Sequence, residues 1–123
     1  MYGVGVDIES IARFNNLKRK ENRFFLKRIY SSNELDYCFT SQNTPVELAK
    51  LFCIKEAVVK SLMSLGITNI YINDIEIIYS KNDLLNIKTN NCINNVNFQI
   101  THSFDKGKYF VFAIAAIDLK EKN

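Results

Sequence analysis

Residues 51–60 read Leu-Phe-Cys-Ile-Lys-Glu-Ala-Val-Val-Lys, and this stretch decides the fold because it lies inside the longest helical pattern of the chain. Thr44 followed by Pro45 predicts the start of that helix, since a hydroxyl side chain can cap it and proline suits its first turn. Gly66 predicts its end, because glycine readily adopts the left-handed conformation that terminates helices. We therefore expect a long helix between these signals at the centre of the fold.

Three ionisable residues of this helix point to chemistry. Lys55 falls inside an apolar stripe, where its ammonium group either reaches water along its stem, which is the commoner outcome, or meets a buried anion. Glu56 and Lys60 are four residues apart and share a helix face. Such a pair is either an ordinary surface ion pair or part of a site for a metal ion and a phosphate group. The stripe itself consists of Leu48, Leu51, Phe52, Val58, Val59 and Leu62.

An apolar strand precedes the helix. Residues 2–7 alternate a tyrosine and two valines with Gly3, Gly5 and Asp7, which predicts a β-strand. Its glycine face lets a neighbouring element approach closely. The segment is not a dinucleotide-binding fingerprint, because no third glycine follows. The carboxylates of Asp7 and Glu56 suit a hard cation such as Mg2+. Spacing alone does not show that they meet, and each acid taken alone is more often a surface group or a cap.

The rest of the chain predicts an α+β fold. Shorter helices are predicted to begin at Ser10 and at Ser31 or Ser32. Lys106-Gly107-Lys108 is typical of a hairpin turn between the last two strands. Helices followed by an antiparallel sheet, in 123 residues of which 47% are hydrophobic, predict a single domain over residues 1–123. The strands after the long helix are predicted at residues 75–79, around 87, at 96–101 and at 109–117.

The only histidine of the chain, His102, stands next to Ser103 at the end of a predicted strand. A lone histidine in this place is most often a structural hydrogen-bonding group. The two side chains together can instead donate hydrogen bonds to a phosphate group. The neighbours of His102 in the fold decide between these interpretations.

A concentrated basic segment covers residues 13–28, where seven basic side chains face one acid, Glu21, and give a charge of +6 in a chain whose total is +3. Such a segment binds an acidic protein, a nucleic acid or an anionic membrane, although a solvated helix face shows the same pattern. A basic nucleic-acid-binding module, with Tyr and Phe side chains stacking on bases, is therefore one alternative function.

Apolar runs and cysteines bear on location. No run is long enough to cross a bilayer, and Asp7 and Glu9 do not fit a signal peptide. The cysteines at 38, 53 and 92 are odd in number and widely spaced, which favours reduced thiols, and one histidine argues against a zinc site. We expect a cytoplasmic protein without a membrane partner, or alternatively an organellar enzyme that has lost a transit peptide.

Taken together, these residues resemble the holo-acyl-carrier-protein synthase family of 4′-phosphopantetheinyl transferases over nearly the whole chain. Residues 3–9, Gly-Val-Gly-Val-Asp-Ile-Glu, are similar to its first motif, and residues 52–60 are similar to its Phe-x-x-Lys-Glu-Ala-x-x-Lys signature. The resemblance implies the transferase fold, an antiparallel sheet packed against a long central helix. Supporting similarities are Arg13, Ser32 to Leu35 with Tyr37 and Cys38, Asp74 to Ile77, and Thr101 to Ser103.

The activity that this resemblance implies is transfer of the phosphopantetheine arm of coenzyme A to a serine of apo-acyl carrier protein, with release of adenosine 3′,5′-bisphosphate. It implies a role in fatty acid biosynthesis. Asp7 and Glu56 would hold Mg2+ against the coenzyme A diphosphate. Lys60 would contact the phosphates, and Glu56 would accept the serine proton.

The same resemblance implies further contacts. Lys55, His102 and Ser103 would contact coenzyme A phosphates, and the chain would form a homotrimer whose active sites are shared between subunits. A catalytically inactive relative that only binds coenzyme A or carrier protein is a second alternative, against which the presence of Asp7, Glu56 and Lys60 weighs. No nucleic acid is implied as a partner. The acidic carrier protein would bind to Arg13, Arg23 and Arg28.

Overall fold

The computed structural model describes residues 1–79, 85–89 and 96–117. Cys92 lies outside the described residues. The helices are α1 (Arg23–Lys27), α2 (Ser32–Phe39) and α3 (Thr44–Ser64), with short 3-10 helices at Ile11–Phe14 and Ile72–Asp74. The strands are β1 (Tyr2–Ser10), β2 (Ile75–Tyr79), β3 (Leu85–Thr89), β4 (Val96–Asp105) and β5 (Lys108–Ile117). The α+β class and the antiparallel sheet on a long helix are confirmed.

The main sheet has the strand order β1-β5-β4, and every neighbouring pair is antiparallel. Its register places Asp7 opposite Val111 and Val111 opposite His102. The β4–β5 turn uses Lys106 and Gly107, both with positive φ, which confirms the predicted hairpin. Strands β2 and β3 form a separate pair.

The ends of α3 follow the sequence signals with one correction. Asn43, not Thr44, is the N-cap, and its side chain accepts a hydrogen bond from the backbone N–H of Val46 at 3.4 Å. Thr44 is already helical, so Asn43 is the residue placed to satisfy an unpaired amide of the first turn. Gly66 has a φ of 87° just beyond the helix, which confirms the predicted terminator.

The helix expected from Ser10 is the second correction. Ser10 makes no capping hydrogen bond, and the chain forms only the 3-10 turn Ile11–Phe14. Ser31 caps α2 as expected, in a reciprocal capping box with Glu34. Within the described residues, no helix is both long and apolar enough to cross a membrane.

Close packing of β1 on α3 depends on the two glycines of the strand. A Cβ atom on Gly3 would lie 2.1 Å from the carbonyl oxygen of Ser61, and one on Gly5 would lie 2.0 Å from that of Ala57. No side chain fits at either position, because real Cβ atoms do not approach backbone so closely. The expected close approach is confirmed, and it brings Asp7 next to α3.

The opposite face of β1 is open and apolar. Val4 and Val6 pair with Ile114 and Phe112 of β5, and Phe112 is also exposed, so the apolar face continues across the sheet. The sheet therefore buries only one of its two faces in the core. The exposed residues of β1 are Tyr2, Val4, Val6 and Ile8, whose exposed fractions range from 48 to 76%.

Side chains of α3 occupy the free edge of β1. The Ser64 hydroxyl accepts a hydrogen bond from the backbone N–H of Val4 at 2.8 Å. The Lys60 ammonium group donates to the carbonyl oxygen of Val6 at 3.0 Å. Two of the backbone groups that β1 would offer to another strand are therefore already bonded.

Candidate active site

Strand β1 and the last turns of α3 bring Asp7 and Lys60 together. The Lys60 Nζ donates to Asp7 Oδ1 at 3.0 Å, while the other carboxylate oxygen of Asp7, Oδ2, is buried without a hydrogen-bond donor. Lys60 is half exposed, whereas the Asp7 side chain is only 9% exposed. The hydrogen bond from Lys60 to Asp7 raises the pKa of the lysine. The site thus contains a buried carboxylate with one unused oxygen beside a cation that water can reach.

Glu56 belongs to the same site. Burial and then the negative charge of Asp7 raise the pKa of its carboxyl group, and the positive charges of Lys60 and Arg13 act in the opposite direction. This interaction between the two carboxyl groups is what a shared site requires. Among the described residues, no three His, Cys, Asp or Glu side chains are grouped so that they could hold a metal ion alone.

Glu9 is a site residue that the sequence analysis did not select. It faces inward two residues after Asp7, and burial and then the neighbouring Asp7 carboxyl group raise the pKa of Glu9 to about 7. Arg13 opposes this shift, since its Nη1 donates to Glu9 Oε1 at 2.5 Å. The alternation of the strand, which puts positions 7 and 9 on one face, was the signal that could have identified it.

A buried thiol lies beneath Asp7. Cys53 Sγ contacts the carbonyl oxygens of Asp7 at 3.2 Å and Tyr109 at 3.6 Å, and burial raises the pKa of the thiol. Cys53 therefore supports the backbone of β1 instead of acting as a nucleophile. Cys38 is likewise buried and free, so both described cysteines are unpaired, as expected.

Lys55 is the main correction among the candidate residues. Its side chain has no exposed surface, its Nζ donates to Glu34 Oε1 at 2.7 Å, and it also donates to the Ile29 carbonyl oxygen. Of the two outcomes left open for this lysine, the structure therefore shows the buried anion. An ammonium group enclosed in this way does not reach a phosphate at the surface, so the expectation of a coenzyme A contact is corrected to a structural role.

His102 and Ser103 lie on β4, apart from the carboxylates. His102 shares a row of the sheet with Asp7, but β5 lies between them, which separates the two strands by about 10 Å. The Nδ1 atom of His102 is 3.2 Å from the Tyr109 hydroxyl, and burial followed by the charge of Lys50 lowers the pKa of His102. The structure does not bring His102 and Ser103 together with Glu56 within one chain.

The three arginines expected to bind a partner differ in their contacts. Arg13 is held by Glu9, whereas Arg23 donates to the carbonyl oxygen of Lys20 at 3.2 Å and lies over the Phe24 ring. Arg28 is the exposed C-cap residue of α1. Only the first of them is connected to the carboxylates of the site.

The family model of the 4'-phosphopantetheinyl transferase superfamily matches residues 3–115. The chain belongs to this superfamily. The matched region includes Asp7 on β1 and Glu56 and Lys60 on α3, so the candidate site of this transferase superfamily member lies wholly within it. Membership favours the transferase interpretation over the nucleic-acid-binding alternative.

Individual relatives agree with this assignment. The chain is 35% identical over 104 residues to the holo-[acyl-carrier-protein] synthase of Caldicellulosiruptor saccharolyticus, and the match covers 83% of this chain and 81% of that protein. It is 36% identical over 78 residues to the corresponding protein of Carboxydothermus hydrogenoformans, where the match covers 63% of each. The chain spans about three fifths of the length of several curated relatives that it matches.

The fold is also that of solved members of the family. The crystal structure of Helicobacter pylori holo-[acyl-carrier-protein] synthase in complex with coenzyme A has 28% sequence identity to this chain and a TM-score of 0.69. The superposition covers 94% of this chain and 99% of that one. The 4′-phosphopantetheinyl transferase fold expected from the sequence is confirmed.

Proposed function

We propose that the protein transfers the 4′-phosphopantetheine moiety of coenzyme A to a serine of apo-acyl carrier protein and releases adenosine 3′,5′-bisphosphate. The observation that carries the proposal is the cluster of Asp7, Glu56 and Lys60 at the junction of β1 and α3. The names of the relatives and the coenzyme A bound to the Helicobacter pylori protein support it. A role in fatty acid biosynthesis in the cytoplasm belongs to the same proposal and rests on family membership.

A magnesium ion fits the residues present. Asp7 Oδ2 is buried without a donor, and burial and then the charge of Asp7 raise the pKa of Glu56, so a cation would stabilise both carboxylates. Mg2+ is commonly held by one or two carboxylates together with substrate phosphates and water, which suits a site without a third protein ligand. Asp7 and Glu56 would hold it, and it would supply positive charge to the phosphates of coenzyme A.

Lys60 would bind a phosphate without losing its present contacts. An ammonium group has three N–H donors, of which Asp7 Oδ1 and the Val6 carbonyl oxygen take two. The third is available on the half-exposed side of the lysine. A positive charge fixed in this way stabilises the negative charge that develops on the phosphate oxygens during phosphoryl transfer.

Glu56 would accept the proton of the attacking serine. The serine oxygen forms a bond to phosphorus while the phosphoanhydride bond of coenzyme A breaks, and adenosine 3′,5′-bisphosphate leaves. A carboxylate beside the reacting groups is a suitable acceptor for this proton.

His102 and Ser103 would complete the site from a neighbouring subunit of a homotrimer. Two features support this. Strand β5 lies between His102 and Asp7, and the sheet has an open apolar face that includes Val6 and Phe112. Contiguous exposed apolar surface of this kind is typical of an interface between subunits. In the trimer, the histidine of one copy would approach the carboxylates of the next.

Arg13, Arg23 and Arg28 would bind the acidic carrier protein. All three belong to the basic segment of charge +6. The complementary charges would speed association and would make carrier binding weaker at high ionic strength.

The direct test is to mix the protein with apo-acyl carrier protein, coenzyme A and Mg2+ and to follow the carrier by intact mass. We expect the mass to rise by one phosphopantetheine arm, and chelation of Mg2+ to stop the reaction. The Asp7→Asn and Glu56→Gln variants should lose most of the rate, whereas the control Asp105→Asn, at the β4–β5 turn, should retain it. An unmodified carrier with the wild-type protein would refute the proposal.

A further inference from the structure

Arg13 is held differently from the other basic residues of the segment 13–28. Its Nη1 donates to Glu9 Oε1 at 2.5 Å, and its guanidinium lies 5.6 Å from the ring centroid of Phe14 and 5.4 Å from that of Phe52. Phe14 is buried in the core, and the Glu9 side chain is only 10% exposed, whereas the Arg13 side chain is 57% exposed. One side of the guanidinium is thus fixed to the protein and the other side faces solvent.

Arg13 is the positive partner of Glu9, whereas the neighbouring Asp7 carboxyl group repels it. The sheet register pairs it with Tyr109, and its inward direction follows from that of Asp7 two residues earlier. A carboxylate buried at this depth is stable only with a charged partner, and Arg13 is the cation that contacts it. The Arg13–Glu9 pair therefore has a fixed geometry that an exposed surface pair would lack.

The guanidinium group can hold Glu9 and a second anion together. Arginine carries five N–H donors in a planar fork, and a single carboxylate oxygen of Glu9 takes only part of them. Arg13 lies near the active site, since its positive charge lowers the pKa of the Glu56 carboxyl group. An acidic group bound there would lie close to the place where the acceptor serine reacts.

We propose that Glu9 is a positioning residue that fixes Arg13 for the acidic carrier protein. The inference rests on the proposed function and deepens it, since it names the residue that prepares the partner contact. A long side chain that is already ordered loses less conformational entropy when it binds. Glu9 therefore increases carrier affinity although its own charge has the same sign as the partner.

The direction in which Glu9→Gln changes carrier affinity distinguishes the positioning role from a simple effect of overall charge. Removing a negative charge near an acidic partner strengthens binding if only the overall charge matters. The positioning role predicts the reverse for Glu9→Gln: a dissociation constant about fivefold larger, which is the effect expected from freeing one long side chain.

Binding to a carrier protein whose acceptor serine is replaced by alanine tests the proposal without catalysis. Isothermal titration at pH 8 and low ionic strength, without coenzyme A and Mg2+, measures the affinity of the wild-type protein, Glu9→Gln, Arg13→Gln and the double variant. We expect the two single variants to weaken binding to a similar extent, and the double variant to be no weaker than Arg13→Gln. Glu21→Gln makes the same charge change at an exposed position of the basic segment, and it should leave binding equal or tighter.

The outcomes distinguish the two proposals. Equal or tighter binding by Glu9→Gln overturns the positioning role, as does a further loss in the double variant, because that loss would not pass through Arg13. Absence of carrier binding by the wild-type protein contradicts the proposed partner itself, whereas transfer by the wild-type protein with an unchanged Glu9→Gln affinity contradicts the positioning role alone. Thermal unfolding of each variant confirms that the titrated protein is folded. Glu9→Asp keeps the negative charge and should therefore bind the carrier more tightly than Glu9→Gln does.

Discussion

Lys55 and Lys60 lie on the same helix, five residues apart, yet they meet their carboxylates in opposite surroundings. The pair of Lys55 with Glu34 has no exposed side-chain surface, and both oxygens of Glu34 are bonded, since Oε2 accepts from the Ile77 N–H. The pair of Lys60 with Asp7 is half open to water and leaves one oxygen of Asp7 without a donor. A saturated buried pair holds the fold together, whereas an incomplete pair at the surface is ready for a ligand.

The largest expected effect comes from breaking the buried pair. Lys55→Met should lower the free energy of unfolding by about 3–5 kcal/mol, because Glu34 keeps its charge in the interior without its partner. Urea denaturation measures this change. In the double variant Lys55→Met with Glu34→Gln we expect part of the loss to be regained. A change below about 1 kcal/mol in the single variant would show that the pair does not stabilise the fold.

The matching change at the open pair should affect activity more than stability. Lys60→Met should slow transfer by about 100-fold, since a fixed positive charge at the phosphates is lost. Its free energy of unfolding should fall by less than that of Lys55→Met, because the Lys60 side chain is half exposed although Asp7 is buried. Initial rates from intact-mass measurements and urea curves give both values. Lys108→Met on the exposed hairpin is the control, and full activity of Lys60→Met would exclude the assigned phosphate contact.

A third substitution distinguishes the Lys60–Asp7 pair from the Lys55–Glu34 pair, because it displaces β1, which carries Asp7. Gly5→Ala should destabilise the protein by about 2 kcal/mol, because the new methyl group overlaps the carbonyl oxygen of Ala57 and pushes β1 away from α3. Asp7 moves with β1 while Glu34 does not, so transfer should fall in the folded protein as well. Gly107→Ala is the control for activity: its positive φ strains the backbone, but its Cβ meets no atom within 4 Å, so β1 should stay in place and transfer should be retained. Unchanged stability of Gly5→Ala would contradict the close packing.

The smallest effect concerns pH. The pKa of Glu9 is raised from 4.5 to about 7, so between these values the folded protein holds a proton that the unfolded chain releases. The free energy of unfolding should therefore decrease as pH rises through this interval, by about 1 kcal/mol after allowance for solvent around Arg13. Urea curves in magnesium-free buffer at pH 5 and pH 8 measure it. Glu9→Gln should flatten the dependence, and a protein that becomes more stable over this range because of Glu9 would contradict the assigned shift.

Local patterns in the sequence predicted most of the fold. Alternation predicted β1, and Pro45 and Gly66 predicted the limits of α3, because each signal acts within a few residues of its cause. Lys106 and Gly107 predicted the hairpin for the same reason. The N-cap was misplaced by one residue since Asn43 and Thr44 are both acceptable caps, and only the backbone conformation distinguishes them.

The candidate site was predicted less completely. Residue type and the family signature pointed to Asp7 and Glu56, and the structure places them in one electrostatic environment. The partner of Lys55 could not be predicted, because Glu34 is 21 residues away and no period connects them. Glu9 was missed since its importance depends on the contact with Arg13, which appears only when the strand and the following turn are folded.

The edge of β1 has a consequence for how copies of the protein associate. A sheet with an unprotected edge can recruit strands without limit and grow into fibrils. Here the Ser64 hydroxyl and the Lys60 ammonium group already occupy the backbone N–H of Val4 and the carbonyl oxygen of Val6. Strand addition at this part of the edge would have to displace these two bonds, so the lysine that lies beside Asp7 also protects the edge of β1.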